Sequence, residues 1–184
     1  MQKVKVDNMV IPYSVSRRTV KYPRLEFKTG DLVVVLPKGK KSAREVVEKH
    51  KNWIREKKQA INDAMLKSRK KRLNFKRSEE SFRNLVAKYV REFKEKYGFL
   101  AKNIFFRKMN SKWASHSSKG NLTINDTLRF LPERLVRYVL FHELAHSRER
   151  KHNKKFWKIV ELEFKDHQKM EKELMIYWFI LQKV

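Results

Sequence analysis

Residues 142–146 constrain this chain more than any other segment, because they place two imidazoles and a carboxylate in the pattern H-E-x-x-H. The segment belongs to an apolar run with helical spacing, which includes Val139, Leu140 and Leu144. On a helix, residues i and i+4 share one face, so the two imidazoles converge on one point, as ligands of a tetrahedral zinc ion do. The pattern therefore predicts a metal-binding helix.

Glu143 and His152 complete the pattern of a catalytic site. Glu143 lies one position round the helix from His142, where its carboxylate reaches water at the metal rather than the metal itself. His152 follows six residues after His146 and supplies a third imidazole. Because a catalytic zinc ion has three protein ligands and one open position, we expect His142, His146 and His152 to bind one Zn²⁺ per chain. Nickel, cobalt or manganese can also occupy such a site.

A coincidental pair of histidines on a solvated helix is the alternative interpretation. The chain has six His, and a charged protein can carry two of them four residues apart by chance. Half of the six fall within residues 142–152, directly after an apolar run, which favours the metal site. If the third imidazole pointed elsewhere, Glu161 or Glu163 would be the fallback ligand.

The charge balance indicates a second property, which is attraction to polyanions. The chain of 184 residues has 46 Lys and Arg against 20 Asp and Glu, a formal net charge of +26. This excess is far beyond what solubility needs, and it favours nucleic acid first and an acidic membrane surface second. A thermophile-like bias is the alternative, but it raises both signs of charge and does not explain the imbalance.

Cysteine is absent from the chain, which excludes disulfides, thiolate zinc ligands and a cysteine nucleophile. The absence fits a reducing compartment. Residues 1–15 lack the uninterrupted apolar core of a signal peptide, and no stretch approaches the length of a membrane span. We therefore expect a cytoplasmic chain, and the sequence leaves its oligomeric state open.

The apolar pattern predicts an α+β fold with two parts. Residues 1–40 contain four short apolar runs separated by turn residues, which indicates a small antiparallel β-meander. Residues 41–184 carry helical periodicity and one hairpin with its turn at 118–121, which indicates a helical core with a short antiparallel sheet. We expect the meander to pack with the helices, as one continuous structural unit.

Capping residues indicate where the helices begin and end. Ser42 is the predicted N-cap of the first helix, and Asn153 is that of the helix after the third histidine. Gly98 ends a helix that begins near Glu79. Pro132 opens the metal-site helix at a first-turn position.

Residues 67–77 contain seven Lys and Arg residues and no acidic residue. This composition is typical of a linker, a solvated helix end or a nucleic-acid contact, and the sequence does not choose between them. If the stretch binds nucleic acid, the candidate contact residues are Lys70, Lys71 and Arg72.

The order of several motifs resembles that of the YgjP-like metallopeptidase domain, a zincin family related to the SprT and WLM groups. The resemblance covers residues 10–165, from a strand that ends in Val-Leu-Pro, through Trp-Ile in the next helix, to the end of the histidine region. Its specific part is the sequence of hairpin, Pro, H-E-x-x-H, third His and a trailing Phe-Trp, and these residues are Arg107, Trp113, Asn125, Pro132, His142, His146, His152, Phe156 and Trp157.

The resemblance implies that His142, His146 and His152 bind zinc and that Glu143 is the general base of peptide-bond hydrolysis. It also implies a protein or peptide substrate, held as an extended strand against the hairpin. Relatives of the SprT type cut protein that is crosslinked to DNA. The resemblance therefore connects the metal motif with the positive charge in one function, a metallopeptidase that acts near nucleic acid.

The chain departs from the family in its hairpin, where residues 113–116 read Trp-Ala-Ser-His instead of Trp-Gly-Ser-Cys. His116 is thus a candidate contact to substrate or to a metal ligand, although a surface histidine beside a turn is the simpler interpretation. Arg107 is a candidate oxyanion donor or a structural ion-pair partner, and Trp113 is a candidate substrate contact. Glu149 stands where the metzincin motif has Gly, so the metzincin label does not transfer.

Two classes of function remain at this point. The first is a zinc metallopeptidase of the H-E-x-x-H type. The second is a nucleic-acid-binding module with a structural zinc ion, or a zinc hydrolase that acts on another bond. Glu143 favours the first class, because a structural zinc site closes its fourth position and needs no carboxylate there.

Overall fold

The computed structural model describes residues 2–28, 30–39 and 42–181, and the chain has the α+β fold that the sequence predicts. It divides into two compact units, Met1–Arg69 and Lys70–Val184. This division lies later in the chain than the predicted change of pattern at residue 40. The reason is that Val47 and Ile54, from the helices after residue 42, are buried in the same core as the N-terminal strands.

The N-terminal unit contains a four-stranded sheet in the order β1-β2-β4-β3. The pairing of β2 with β4 is parallel, whereas the predicted meander has antiparallel pairs throughout. Parallel strands buried on both faces are continuously apolar, and the Val and Leu run of β4 is almost wholly buried between its neighbours. β4 therefore occupies the centre, and β3 lies at the edge. The strands are β1 (Gln2–Val6), β2 (Met9–Arg18), β3 (Arg24–Lys28) and β4 (Asp31–Pro37).

Two helices, α1 (Ala43–Lys49) and α2 (Lys51–Ser68), follow the sheet. Ser42 caps α1 as predicted, because its side chain accepts a hydrogen bond from the N–H of Glu45. The apolar residues Val47, Ile54 and Ile61 have the spacing of a single helix, but the structure interrupts the helix at His50. The carbonyl of Val46, which would accept the N–H of residue 50 in a continuous helix, instead lies 2.7 Å from Nδ1 of the His50 ring.

The C-terminal unit begins within the basic stretch of residues 67–77 and continues into α3 (Glu79–Tyr97). Gly98 ends α3 as predicted, in the left-handed conformation with φ of 64°. A three-stranded sheet follows in the order β5-β7-β6, in which β6 and β7 form the predicted hairpin. β5 pairs in parallel with β7, so this sheet is mixed rather than wholly antiparallel. Its strands are β5 (Ile104–Arg107), β6 (Ala114–His116) and β7 (Leu122–Asn125).

Helix α4 (Glu133–Ala145) is the central element of the C-terminal unit. Eight of its thirteen residues are buried, which is more than one apolar face and shows that the helix is enclosed on most sides. It contacts α3, β6, and the later helices α5 (Lys154–Glu161) and α6 (His167–Leu181). Pro132 is the N-cap residue of α4, one position before the predicted first turn.

Aromatic rings fix α4 in this core. Phe141 lies edge-on to Phe93 and Phe99, with ring centroids 5.0 and 5.2 Å apart. Burial of one such side chain contributes roughly 1.5–3 kcal/mol, so the helix that carries the histidine motif is held firmly. No helix in the described part of the chain combines the length and the apolar composition that crossing a membrane requires.

Candidate metal centre

Three histidines of the C-terminal unit converge where α4 ends. One ligand nitrogen from each of His142, His146 and His152 lies within 4.8 Å of the other two. His142 is in the last turn of α4, His146 is the residue at which the helix ends, and His152 lies shortly before α5, which Asn153 caps as predicted. The structure therefore brings the i, i+4 pair and the third imidazole together.

The surroundings of each ring indicate which nitrogen faces the cluster. Nε2 of His142 lies 2.9 Å from Nε2 of His152. Nδ1 of His146 lies 3.0 Å from the carbonyl oxygen of Glu149, to which it donates, so in the neutral ring Nε2 carries the lone pair. Nδ1 of His142 is buried and has no hydrogen-bond partner among the described residues. Each ring thus presents Nε2 to a common point.

Burial favours the neutral form of two imidazoles of the cluster, those of His142 and His146. Burial, followed by the like charges of His152 and His146, lowers the pKa of His142 to about 3. Burial also lowers the pKa of His146. Neutral imidazole is the form that binds metal, and two lone pairs 2.9 Å apart repel each other unless they share a proton or a cation. Three neutral imidazole nitrogens fit a zinc ion.

Glu143 lies beside the cluster, and the hairpin holds its carboxylate. Its Oε2 accepts a hydrogen bond from the backbone N–H of His116 at 3.0 Å. Burial raises the pKa of Glu143 to about 7, although the His116 N–H and the charge of Lys112 oppose the rise. A carboxyl group with a pKa near neutrality can both take up and return a proton, as general acid–base catalysis requires.

A cleft of about 660 Å³ opens over the cluster. This volume is in the range of sites that bind small molecules or short peptide segments. Strand β6, which forms one part of its wall, lies at an edge of its sheet. Further parts of the wall come from the loop after α4 and from α5 and α6, through Arg150, Trp157, Glu171 and Leu174.

The structure brings two of the three other predicted site residues to this cleft. Trp113 lines it and packs edge-on against Trp178, with ring centroids 5.0 Å apart. His116 lines it too and is half-buried rather than on the surface, with Nε2 2.9 Å from the carbonyl oxygen of Leu100. Arg107 is exposed at the end of β5, apart from the residues that line the cleft.

The predicted nucleic-acid contacts lie together between α2 and α3. Lys70, Lys71 and Arg72 are all exposed. The ammonium group of Lys71 lies 3.1 Å from the carboxylate of Glu173, which also pairs with Arg134. Lys71 is therefore partly neutralised, and the charge available to a polyanion is carried by its two neighbours.

Two residues at the site were not predicted from the sequence. The hydroxyl of Tyr138 donates to Oε1 of Glu171 at 2.5 Å, and that oxygen lies 3.7 Å from Nδ1 of His142. Tyr138 precedes His142 by four residues, so the same i, i+4 rule places it on the metal face of α4. No spacing relates Glu171 to the motif, because it belongs to α6.

Comparison with known protein families also indicates a metallopeptidase domain. The family model of the YgjP-like metallopeptidase domain matches residues 66–177. The metallopeptidase zymogen abylysin of Pyrococcus abyssi is 26% identical with a TM-score of 0.46, over 49% of this chain and 91% of that chain. The zymogen jannalysin of Methanocaldococcus jannaschii is 26% identical with a TM-score of 0.41, over 52% of this chain and 92% of that chain. No curated protein matches the chain significantly.

Proposed function

This chain belongs to the YgjP-like metallopeptidase family, and we propose that it hydrolyses peptide bonds with one zinc ion held by His142, His146 and His152. The observation that carries the proposal is the convergence of three imidazole nitrogens within 4.8 Å, next to a carboxylate that the hairpin holds. A structural site would not need that carboxylate.

Ring packing holds the rings of the proposed ligands in place. The ring of His146 stacks on Phe156 with centroids 4.5 Å apart, and the ring of His152 lies nearly parallel to Trp157 at 5.7 Å. A zinc ion bound by these imidazoles would polarise a substrate carbonyl and acidify water.

Glu143 is the proposed proton carrier of the reaction. Its carboxylate takes a proton from the attacking water while the water oxygen bonds to the carbonyl carbon of the substrate. It then returns the proton to the amide nitrogen as the C–N bond breaks, so that a carboxylic acid and an amine leave. The hydrogen bond from the N–H of His116 keeps one carboxylate oxygen fixed during both transfers.

Strand β6 is the proposed support for the substrate. It pairs with β7, and among the described residues no strand pairs with its other edge. An extended peptide can add to such an edge through backbone hydrogen bonds. Its side chains would then contact Trp113 and Lys112, which line the cleft next to β6.

Glu143→Gln tests the mechanism. The variant is expected to keep one zinc ion per chain and to hydrolyse peptides roughly 100- to 10,000-fold more slowly. Zinc content is measured by mass spectrometry of the metal, and cleavage is followed on casein and on a random peptide library. Glu133→Gln, at the other end of the same helix, is the control and should leave both quantities unchanged.

Three results would contradict this proposal. Loss of zinc from Glu143→Gln, or full activity in that variant, would mean that Glu143 does not carry the proton. If zinc-loaded wild-type protein cleaved neither casein nor any library peptide, the assignment as a peptidase would be wrong.

Contact with nucleic acid is a second proposed property, and the net charge of +26 together with the exposure of Lys70 and Arg72 supports it. Neither side chain takes part in an ion pair within the described ranges. Binding through phosphates would bring the peptidase to proteins that lie on nucleic acid. It would depend steeply on salt, because each neutralised phosphate releases counterions.

A further inference from the structure

The proton on the ring of His142 has no acceptor in the histidine cluster. Because Nε2 of this ring faces Nε2 of His152 at 2.9 Å, a metal takes Nε2 and the proton of the neutral ring lies on Nδ1. Nδ1 is buried without a hydrogen-bond partner in the part of the chain that the structure describes. A buried N–H without an acceptor is costly, so an acceptor within reach would favour the tautomer that binds metal.

A carboxylate from α6 lies next to this nitrogen. Oε1 of Glu171 is 3.7 Å from Nδ1 of His142, roughly half an ångström beyond an ordinary hydrogen bond. The same oxygen accepts the hydroxyl hydrogen of Tyr138 at 2.5 Å. Tyr138 is fully buried on α4, so its hydroxyl restricts where the carboxylate can lie.

We propose that Glu171 is a positioning residue, which accepts the Nδ1–H of His142 and thereby fixes the tautomer and the angle of that metal ligand. Tyr138 holds the carboxylate for this task. His146 has the corresponding support from the carbonyl oxygen of Glu149 at 3.0 Å. A charged acceptor also makes the imidazole a stronger donor to a metal than a neutral acceptor does.

This inference rests on the proposed function only in that the three histidines bind a metal. The helix α6 would then contribute to metal affinity although it supplies no ligand. Glu171 is half-exposed in the cleft, with 47% of its side chain accessible. Its replacement should therefore leave the core packed, and an effect on metal binding can be separated from an effect on folding.

The chain contains a matched control for this pair. Tyr89 is also buried, and its hydroxyl donates to Glu133 at the same distance of 2.5 Å. This second Tyr–Glu pair is apart from the three histidines. The test therefore compares Glu171→Gln, Glu171→Ala and Tyr138→Phe with Glu133→Gln and Tyr89→Phe.

The first readout is the zinc dissociation constant, measured by competition with a chromophoric chelator. Glu171→Ala is expected to raise it about 10- to 100-fold. Glu171→Gln should raise it less, because the amide oxygen still accepts a hydrogen bond, and Tyr138→Phe should also have the smaller effect. Glu133→Gln and Tyr89→Phe should bind zinc as the wild type does, and circular dichroism should show all five variants folded.

The second readout is the ring N–H signal of His142 in nitrogen-15 NMR spectra of the zinc-loaded protein. In the wild type, the proton should appear on Nδ1, strongly deshielded and protected from exchange with water. In Glu171→Ala it should move upfield and exchange faster. A residue with a merely structural role would not change this signal.

Three results would overturn the inference. The first is an unchanged zinc dissociation constant in Glu171→Ala, and the second is a zinc affinity in Glu133→Gln as weak as that in Glu171→Ala. The third is a loss of zinc affinity in Glu171→Ala as large as that in His152→Ala, which would make Glu171 a ligand. If the wild type bound zinc tightly but cleaved no peptide, the proposed function would fail while this inference stood. If Glu171→Ala bound zinc normally in an active enzyme, only this inference would fail.

Discussion

The buried core of the N-terminal unit consists mainly of Val, Ile and Leu side chains, whereas that of the C-terminal unit also contains many Phe and Tyr rings, of which Tyr138 and Phe156 contact the histidine cluster. Ile11, Val34 and Leu36 represent the first core. In the second, the single ring of Phe156 contacts all three proposed ligands, His142, His146 and His152, at centroid distances of 4.9, 4.5 and 4.7 Å.

The difference shows which property each core provides. Branched aliphatic side chains fill space between a sheet and helices and carry no polar atom. Flat rings, in contrast, hold other flat rings at defined angles, so they can orient imidazoles for a metal. Among the described residues, the cluster of three possible ligands lies in the C-terminal unit. We therefore expect substitutions in the N-terminal unit to change stability without changing zinc affinity, and substitutions near the histidines of the C-terminal unit to change zinc affinity.

The largest expected effect is that of removing a proposed metal ligand. His146→Ala should raise the zinc dissociation constant by roughly 1000-fold, because one of three protein ligands is lost, and peptide hydrolysis should fall with it. His50→Ala, in the N-terminal unit, should change neither quantity. Zinc titration against a competing chelator measures the dissociation constants of both variants. Equal zinc affinity of His146→Ala and wild type would contradict the placement of the metal site in the C-terminal unit.

The next effect concerns two leucines that are both completely buried, one in each unit. Leu36→Ala and Leu140→Ala should each lower the free energy of unfolding by about 2–5 kcal/mol, through lost burial and a cavity. Leu140 lies on α4, the helix that carries His142 and His146, so its loss should also weaken zinc binding, whereas Leu36→Ala should not. Urea denaturation gives the stabilities, and hydrogen exchange shows which unit opens. Equal zinc affinity of the two variants would contradict the distinction.

A third effect is the loss of stability of the zinc-free protein in acid. Burial alone would raise the pKa of Glu163, but hydrogen bonds from Tyr97, Arg137 and Lys96 outweigh it and lower the pKa from 4.5 to about 2. A depressed carboxyl pKa contributes stability that is present above the unfolded value and disappears as pH falls through the folded value.

The stabilising contribution of Glu163 is therefore lost as the pH falls from 4.5 to about 2. This loss lowers the free energy of unfolding by up to about 3 kcal/mol. Glu163→Gln should remove this part of the pH dependence and leave the protein less stable at neutral pH. Glu161→Gln, at a half-exposed carboxylate two residues earlier, is the control. Thermal unfolding followed by circular dichroism between pH 2 and 7 measures the effect, and parallel curves for wild type and Glu163→Gln would contradict it.

The smallest expected effect concerns the basic stretch. Lys70→Glu and Arg72→Glu should each lower the slope of log affinity against log salt for DNA by about 1, uniformly across sequences. Lys71→Glu should change the slope less, because Glu173 already neutralises part of its charge. Fluorescence anisotropy with labelled duplexes between 50 and 200 mM salt measures the slopes, and an absence of wild-type binding at 50 mM would show that the basic surface is not a binding site.

Local patterns accounted for the features that depend on neighbouring residues. Helix ends at Ser42, Gly98 and Asn153 follow from hydrogen bonds and backbone conformations that involve a few adjacent residues. The hairpin of β6 and β7 and the convergence of His142 with His146 are of the same kind. The parallel pairing of β2 with β4 was not predictable in this way, because strand order depends on which strand the core buries most completely.

The sequence by itself determined the metal face of α4, because the helical repeat places His142, His146 and Tyr138 on one side wherever that helix lies. Only the tertiary structure decided what meets this face. The N–H of His116 reaches Glu143 because the hairpin packs against α4. Glu171 reaches His142 because α6 also packs against α4. Both contacts join residues distant in the chain, and packing of buried side chains rather than any local repeat sets such distances.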